Sequence, residues 1–230
     1  MGTNDFGLKL YNIVGNWVSA IFGSEKAKYF FEAAYWRGRW ILEGGKLKNS
    51  HYQNVYTKAF NLQFSDFENA KILDLGCGPR GSLEWAQLAK ERIGLDPLAH
   101  FYQKLNGQSH QMQYLTAKAE SLPFPNEYFD IVSSFNSLDH VDDLKEVLSE
   151  IKRVLKPGGL FLLITDIHPH PALCEPTVIN WDIHEQLRPE LHCEMRREIK
   201  RQKHIYESIH ANLAYEGAEY GIYMGKFLRV

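Results

Sequence analysis

Short apolar segments alternate with helical segments from residue 69 onward, and this alternation constrains the fold more than any other feature. Such alternation is typical of a parallel sheet with crossover helices. Helices are expected to begin near Ser82, Leu98 and Asp142. The candidate strands are residues 71–75, 92–95, 113–116, 129–134 and 160–165. The sequence therefore predicts an α/β fold with a doubly wound, seven-stranded, mostly parallel Rossmann-like sheet, which binds ligands at the carboxyl ends of its strands.

The two ends of the chain are less regular. Residues 8–22 and 25–42 carry apolar residues at helical spacing, and Gly44-Gly45 ends the second run. We expect an N-terminal helical cap over residues 1–68, followed by a cofactor-binding domain over residues 69–230. After the fifth strand the predictions are a loop at 168–176, a helix at 178–187, a strand that includes Met195, Ile199 and Ile205, and a strand at 220–230.

Composition limits the possible partners. The 230 residues include 26 Lys and Arg against 28 Asp and Glu, a net charge of −2, so no overall field attracts nucleic acid. The one basic run, residues 196–204, is typical of a solvated face. Three cysteines indicate a reducing compartment. No long apolar stretch is present, so we expect a cytoplasmic protein without a membrane span. The apolar face around Trp17 and Phe22 is a possible homodimer contact.

A glycine-rich turn follows the first candidate strand, in residues 72–81 (ILDLGCGPRG). Gly76 and Gly78 allow a tight bend and a close approach of the backbone to a ligand. Asp96 ends the next strand, where a carboxylate can accept both hydroxyls of a ribose. Asp74 would repel a pyrophosphate at this turn but attract an ammonium or a sulfonium. The pattern favours S-adenosylmethionine over NAD.

Four segments in order resemble the class I S-adenosylmethionine-dependent methyltransferases, in particular their small-molecule, type 11-like group. They are residues 73–78 (LDLGCG), 94–96 (GLD), 119–132 (AESLPF…FDIV) and 151–159 (IKRVLKPGG). The resemblance covers residues 71–165 and implies this fold and cofactor. Lys118 departs from the family, which often has an acid there that accepts from the adenine amino group. Arg80 also departs, because the family often has a small residue at that place.

The resemblance and the spacing together identify candidate cofactor-binding residues. Asp74 and the turn would hold the methionine end, Asp96 the ribose, and Pro97 or Leu98 would cover one adenine face. Arg80 could reach the cofactor carboxylate or be a solvated residue, and Tyr56 could cover the methionine end or belong to the core. The candidates are Tyr56, Asp74, Gly76, Cys77, Gly78, Arg80, Asp96, Pro97, Ala119, Glu120, Phe135 and Asn136.

Methyl transfer needs alignment and a dry site more than it needs a base. Candidate bases follow the fourth and fifth strands. His140 is the first choice because a neutral imidazole can take a proton near pH 7, and Asp139 and His168 are further candidates. No metal is expected, because Asp166, His168, His170 and Cys174 match no standard zinc pattern and magnesium would want more carboxylates.

The sequence therefore predicts methylation of a small molecule, with oxygen favoured over nitrogen or carbon as the acceptor atom. Base methylation in nucleic acid is disfavoured, because residues 136–139 (NSLD) lack the tetrad that grips an exocyclic amine in the family members that flip bases. Three alternatives remain: a non-catalytic S-adenosylmethionine-binding protein, a methyltransferase that acts on a macromolecule, and a nicotinamide oxidoreductase.

Overall fold

One seven-stranded sheet organises the part of the chain that the computed structural model describes, residues 23–217 and 220–230. The strands are β1 (Lys71–Leu75), β2 (Glu91–Leu95), β3 (Gln113–Leu115), β4 (Phe129–Phe135), β5 (Leu155–Ile167), β6 (Leu191–Lys200) and β7 (Gly221–Arg229). Their order across the sheet is β3-β2-β1-β4-β5-β7-β6. Strands β1 to β5 pair in parallel, and β7 is antiparallel to β5 and β6. The predicted sheet is confirmed.

Helices cover the sheet and its carboxyl edge. The α-helices are α1 (Ser24–Leu42), α2 (Tyr52–Tyr56), α3 (Ala99–Leu105), α4 (Leu144–Val154), α5 (Ile183–Gln186) and α6 (Ile205–Ala211). Helix α1 confirms the second predicted cap helix. The expected helix at 8–22 and the face around Trp17 and Phe22 lie outside the described residues. Within the described ranges no helix is both long and apolar enough for a membrane crossing.

The helix predicted to begin near Ser82 does not form, and that prediction is wrong. Residues 81–90 make a series of turns between β1 and β2. The N–H groups of Ala86 and Ala89 donate to the carbonyls three residues earlier. Leu88 then accepts from the Asn69 N–H at 2.8 Å, which draws this segment alongside the start of β1. These turns and the bond from Asn69 use the backbone N–H and carbonyl groups that a helix would pair internally.

Two predictions after β5 are also corrected. The helix expected at 178–187 is only the short α5. Ile205, expected in a strand, begins α6, and Ile205 and Ile209 are both buried one helical turn apart. The Ser208 hydroxyl donates to the His204 carbonyl at 2.9 Å and accepts from the Gln202 N–H at 2.7 Å. These bonds stabilise a helix where the alternation of the preceding strand ends.

Strand β1 separates two buried layers. Leu73 packs in one layer with Val147 of α4, and Ile72 packs in the other with Tyr56 of α2. Because side chains alternate across a strand, Asp74 points to the same side as Ile72. Helix α2 thus shares a core with the sheet, although the division into a cap over 1–68 and a domain over 69–230 stays a prediction.

Candidate active site

A cavity, here called the first cavity, opens at the carboxyl ends of β1, β2 and β4. Parallel strands bring their following loops together at this edge, which is the usual ligand position in such folds. Eight of the predicted site residues line it: Gly76, Gly78, Asp96, Pro97, Ala119, Glu120, Asn136 and His140. The structure therefore brings together residues that lie up to 64 positions apart, from Gly76 to His140.

Gly76 and Gly78 are required at this edge for conformational and steric reasons. Their φ angles are 68° and 55°, a region that favours glycine. A Cβ on Gly76 would lie 2.2 Å from the Cβ of Ser137, and one on Gly78 would lie 3.2 Å from the Trp36 ring. The turn is therefore packed directly between the loop after β4 and the cap helix α1.

Asp96 is a buried carboxylate that faces the first cavity. It accepts from the Leu98 N–H at 2.8 Å and from the Gly78 N–H at 3.4 Å. Burial raises its pKa to about 7, despite those two N–H donors. A diol that donated to this carboxylate would stabilise its ionised form.

The first cavity is acidic. Its lining includes the carboxyl groups of Glu32, Asp96, Glu120 and Asp142 and the ammonium groups of Lys28 and Lys118. Both lysines contact Asp142, at 2.6 Å and 3.4 Å. The Oδ1 of Asn136 is buried without a hydrogen-bond partner among the described residues, so it can accept from a ligand. This set of acceptors fits a cationic nucleoside, whereas the pyrophosphate of a dinucleotide would face four carboxylates.

Helix α1 supplies site residues that sequence reasoning did not identify. Lys28, Tyr29, Glu32 and Trp36 line the first cavity. Lys28 is buried and donates to the His140 carbonyl at 3.1 Å, which ties the cap to the loop after β4. The three- and four-residue spacing of these side chains places them on one face of α1. This spacing is the sequence pattern from which they could have been identified.

Asp74 does not line the first cavity. It is buried under α2, where it accepts from the Ser82 hydroxyl and from the Ser133 hydroxyl, the latter at 2.7 Å. The Tyr56 hydroxyl also lies 2.7 Å from that of Ser133. Burial raises the pKa of Asp74 to about 6, although the hydroxyl donors oppose this. The structure buries its carboxylate away from the first cavity, and the expectation that it holds the methionine end stays a prediction.

A second cavity of about 690 Å³ adjoins the first. It is lined by Tyr35, Trp36, Arg39, Leu42, Glu43, Lys48, His51, Tyr52, Arg80, Phe135, Asn136, Arg201, His204, Ile205 and Tyr206. Trp36 and Asn136 line both cavities. The predicted residues Arg80 and Phe135 thus lie in the second cavity, whereas Tyr56 and Cys77 are buried and line neither.

Arg80 is not a solvated residue, because its side chain is only 12% exposed, and its contact with the cofactor carboxylate stays a prediction. It lines the second cavity, and its guanidinium donates to both Glu43 oxygens, at 2.6 Å and 2.9 Å, and to the Lys48 carbonyl at 2.8 Å. It also lies over the Trp36 ring, 5.4 Å from the centroid. The residue therefore fastens the end of α1 to the glycine-rich turn.

The three predicted catalytic residues lie together at different depths. His140 lines the first cavity, while Asp139 and His168 are buried behind it. The Asp139 carboxylate lies 3.9 Å from His140 Nε2 and 4.0 Å from His168 Nε2. Burial lowers the pKa of His140, but the charges of Asp139 and Glu32 outweigh it and the pKa lies above 6.5. His140 alone of the three is placed to meet a ligand.

Potential metal ligands were also located among the described residues. One atom each from Asp139, His140 and Glu175 lies within 4.8 Å of the other two. Two of the residues considered as metal ligands from the sequence have other partners. Asp166 pairs with Arg201 at 2.5 Å, and His168 Nδ1 donates to the His170 carbonyl at 2.7 Å. The expectation of no metal stays a prediction.

Comparison with known proteins identifies the fold and the cofactor. Residues 73–163 match the family described as Methyltransferase domain. The chain is 35% identical to the malonyl-[acyl-carrier protein] O-methyltransferase of Salmonella typhimurium, over 42% of this chain and 39% of that protein. It is 32% identical to the ubiquinone biosynthesis O-methyltransferase of Cereibacter sphaeroides, over 64% and 65% of the respective chains. The chain thus spans from about two fifths to just under two thirds of these relatives.

Solved structures agree on the fold. The geranyl diphosphate C-methyltransferase of Streptomyces coelicolor, solved with S-adenosyl-L-homocysteine, superposes with a TM-score of 0.57 at 17% identity over 75% of each chain. The YcgJ protein of Bacillus subtilis gives 0.53 at 17% identity, over 75% of this chain and 98% of that one.

The fold and the first cavity define a nucleoside-binding α/β domain of the Rossmann-like class. Within that class, residues 73–163 match the methyltransferase domain family, and this match implies S-adenosylmethionine as the cofactor.

Proposed function

We propose that this protein transfers a methyl group from S-adenosylmethionine to a small-molecule acceptor, with oxygen the favoured acceptor atom. The observation that carries the proposal is the acidic first cavity, in which Asp96 and Asn136 present acceptor atoms beside a turn that excludes side chains. Named relatives include both O- and C-methyltransferases, so the family leaves the acceptor atom open. The nearby imidazole of His140 supports oxygen.

The chain's own residues fit the cofactor. The Asp96 carboxylate would accept from the ribose hydroxyls, and the free Oδ1 of Asn136 would accept from the ammonium of the methionine end. Pro97 and Ala119 lie where they would enclose the adenine. When bound, S-adenosylmethionine supplies an electrophilic methyl group, and its sulfur departs with the bonding electron pair as a neutral thioether.

The work of the protein is to align the acceptor, to exclude water and to take a proton. Tyr29 and Trp36 of α1 cover the first cavity and reduce its contact with solvent. His140 in its neutral form would take the hydroxyl proton of the acceptor as the new oxygen–carbon bond forms. Asp139 and His168 do not reach the cavity; the buried Asp139 carboxylate would stabilise the imidazolium that results.

Two measurements test this proposal together. Calorimetry with S-adenosylhomocysteine should show binding, and NADH should not bind. Asp96→Asn should weaken the binding of S-adenosylhomocysteine about 30-fold, because an ionised acceptor contributes about 2 kcal/mol more than a neutral one. Asp182→Asn is the matched control, since Asp182 is exposed and lies outside both cavities.

Turnover is then measured with methyl-labelled cofactor and a metabolite extract. Label should appear in small molecules rather than in protein or nucleic acid. Binding of the cofactor without any transfer would instead support a non-catalytic binding protein, and binding of NADH alone would overturn the proposal.

A further inference from the structure

The second cavity has a charge opposite to that of the first. Its lining includes the cationic side chains of Arg39, Lys48, Arg80 and Arg201, and Glu43 is the one carboxylate among the described residues that line it. Glu43 is already bound by Arg39 at 2.7 Å and by Arg80 at 2.6 Å. Lys48 is exposed and lines this cavity. Its ammonium makes no ion pair among the described residues. Arg201 pairs with Asp166 at 2.5 Å, so the positive field of the cavity comes from Lys48 and from the excess of Arg39 and Arg80 over Glu43.

Aromatic rings supply much of the remaining surface of the second cavity. The rings of His51, Tyr52 and Tyr206 form a cluster, with the His51 centroid 4.3 Å and 4.5 Å from the two tyrosines and the tyrosines 5.5 Å from each other. Burial holds the pKa of His51 at about 4, so this cluster is neutral at pH 7. Tyr35 and Trp36 contribute rings from α1. A flat apolar body would find ring faces from separate elements here.

The two cavities meet where chemistry is expected. Trp36 and Asn136 line both, so the two cavities adjoin each other at these side chains. A cationic cofactor in the acidic cavity and an anionic acceptor in the basic cavity would each meet a complementary field.

From these observations we infer that the second cavity binds the methyl acceptor, and that the acceptor is an aromatic molecule bearing an anionic group, a carboxylate or a phosphate. This inference rests on the proposed function. The rings hold the flat body, and Lys48 with the neighbouring arginines holds the anion at the rim.

The experiment uses three fluorescent probes that share one ring system: 2-naphthoate, 2-naphthyl phosphate and 2-naphthalenemethanol. Each is titrated into the 230-residue chain saturated with S-adenosylhomocysteine, which keeps the probes out of the first cavity. At least one anionic probe should bind about tenfold more tightly than the neutral alcohol, as expected for a complementary charge in a partly enclosed site. The stronger of the two anionic probes identifies the group as a carboxylate or a phosphate.

Lys48→Glu locates the site. It should weaken the preferred anionic probe about tenfold and leave the affinity for S-adenosylhomocysteine unchanged, because Lys48 does not line the first cavity. Lys145→Glu, an equal charge reversal at an exposed residue of α4, should change neither. Retained binding of S-adenosylhomocysteine shows that Lys48→Glu is folded.

Equal affinity for charged and neutral probes, no detectable binding of any probe, or unchanged probe affinity in Lys48→Glu would overturn the inference. Each of these results leaves the proposed function standing if S-adenosylhomocysteine still binds. Failure of S-adenosylhomocysteine itself to bind would overturn the proposed function instead.

Discussion

The first and second cavities are neighbours of opposite character. The first is formed largely by backbone turns at the ends of β1, β2 and β4 and is acidic, whereas the second is formed by side chains of α1, α2 and α6 and is basic. Loops after parallel strands are brought together by the sheet itself. The second cavity depends instead on how three distant helices pack, so it can change in shape and charge without disturbing the sheet. This contrast suggests that cofactor binding is set by the fold and acceptor choice by the cap.

The sharpest way to break the first cavity alone is Gly76→Ala. The new Cβ would lie 2.2 Å from Ser137 Cβ at a positive φ, so we expect a loss of at least about 3 kcal/mol of unfolding free energy, measured in urea. Gly158→Ala is the control, because that glycine also has a positive φ, 77°, but nothing within 4 Å of its Cβ position. It should cost about 1 kcal/mol.

A second variant identifies the cause of that loss. Adding Ser137→Gly to Gly76→Ala removes the clashing atoms and leaves Ser137 Cα at 3.6 Å, an ordinary contact. The double variant should recover most of the difference relative to Ser137→Gly alone. No recovery would mean that backbone strain, rather than the packing of the turn against the loop after β4, determines the need for glycine.

His140→Gln separates chemistry from cofactor binding within the first cavity. Loss of a general base should lower kcat about 100-fold, while the affinity for S-adenosylhomocysteine changes less than about threefold. Because the pKa of His140 lies above 6.5, wild-type turnover should rise with pH as the imidazole loses its proton. The exposed His192→Gln is the control. An unchanged kcat in His140→Gln would indicate that alignment alone suffices.

The pH dependence of cofactor binding tests the acidic character of the first cavity. Since burial raises the pKa of Asp96 to about 7, the ionised acceptor becomes dominant only above that pH. Affinity for S-adenosylhomocysteine should therefore rise about tenfold from pH 6 to pH 8. In the same range this pH dependence of the affinity should vanish in Asp96→Asn.

The raised pKa of the Asp96 carboxyl also means that the unliganded protein loses stability as pH rises from about 4 to 7.

The sequence predicted the first cavity better than the second, for a physical reason. The glycine-rich turn and Asp96 follow a strand directly and His140 lies in the loop after β4, so locating the strands locates them. Asp74 shows the limit, because its direction depends on which face of β1 the core of α2 covers. Arg80, Lys48 and Tyr206 come together only through packing between α1, α2 and α6, which no local pattern encodes.

The smallest expected effect concerns the attachment of the cap beside the second cavity. The Arg80 guanidinium holds the pKa of Glu43 at about 2, so this pair stabilises the fold above pH 4.5 and the contribution disappears as pH falls toward 2. Glu43→Gln should lower the free energy of unfolding by about 1 kcal/mol at pH 7 and by much less at pH 3.

Glu216→Gln is the matched control, because Glu216 pairs with Lys200 at 3.0 Å but its side chain is 73% exposed. Solvent screening should leave that variant within about 0.5 kcal/mol of wild type. If Glu43→Gln were equally neutral, Arg80 would not fasten α1 to the glycine-rich turn. The wall shared by the two cavities would then depend on Lys28 at the other end of the helix, and the cap could open at its second-cavity end without loss of cofactor binding.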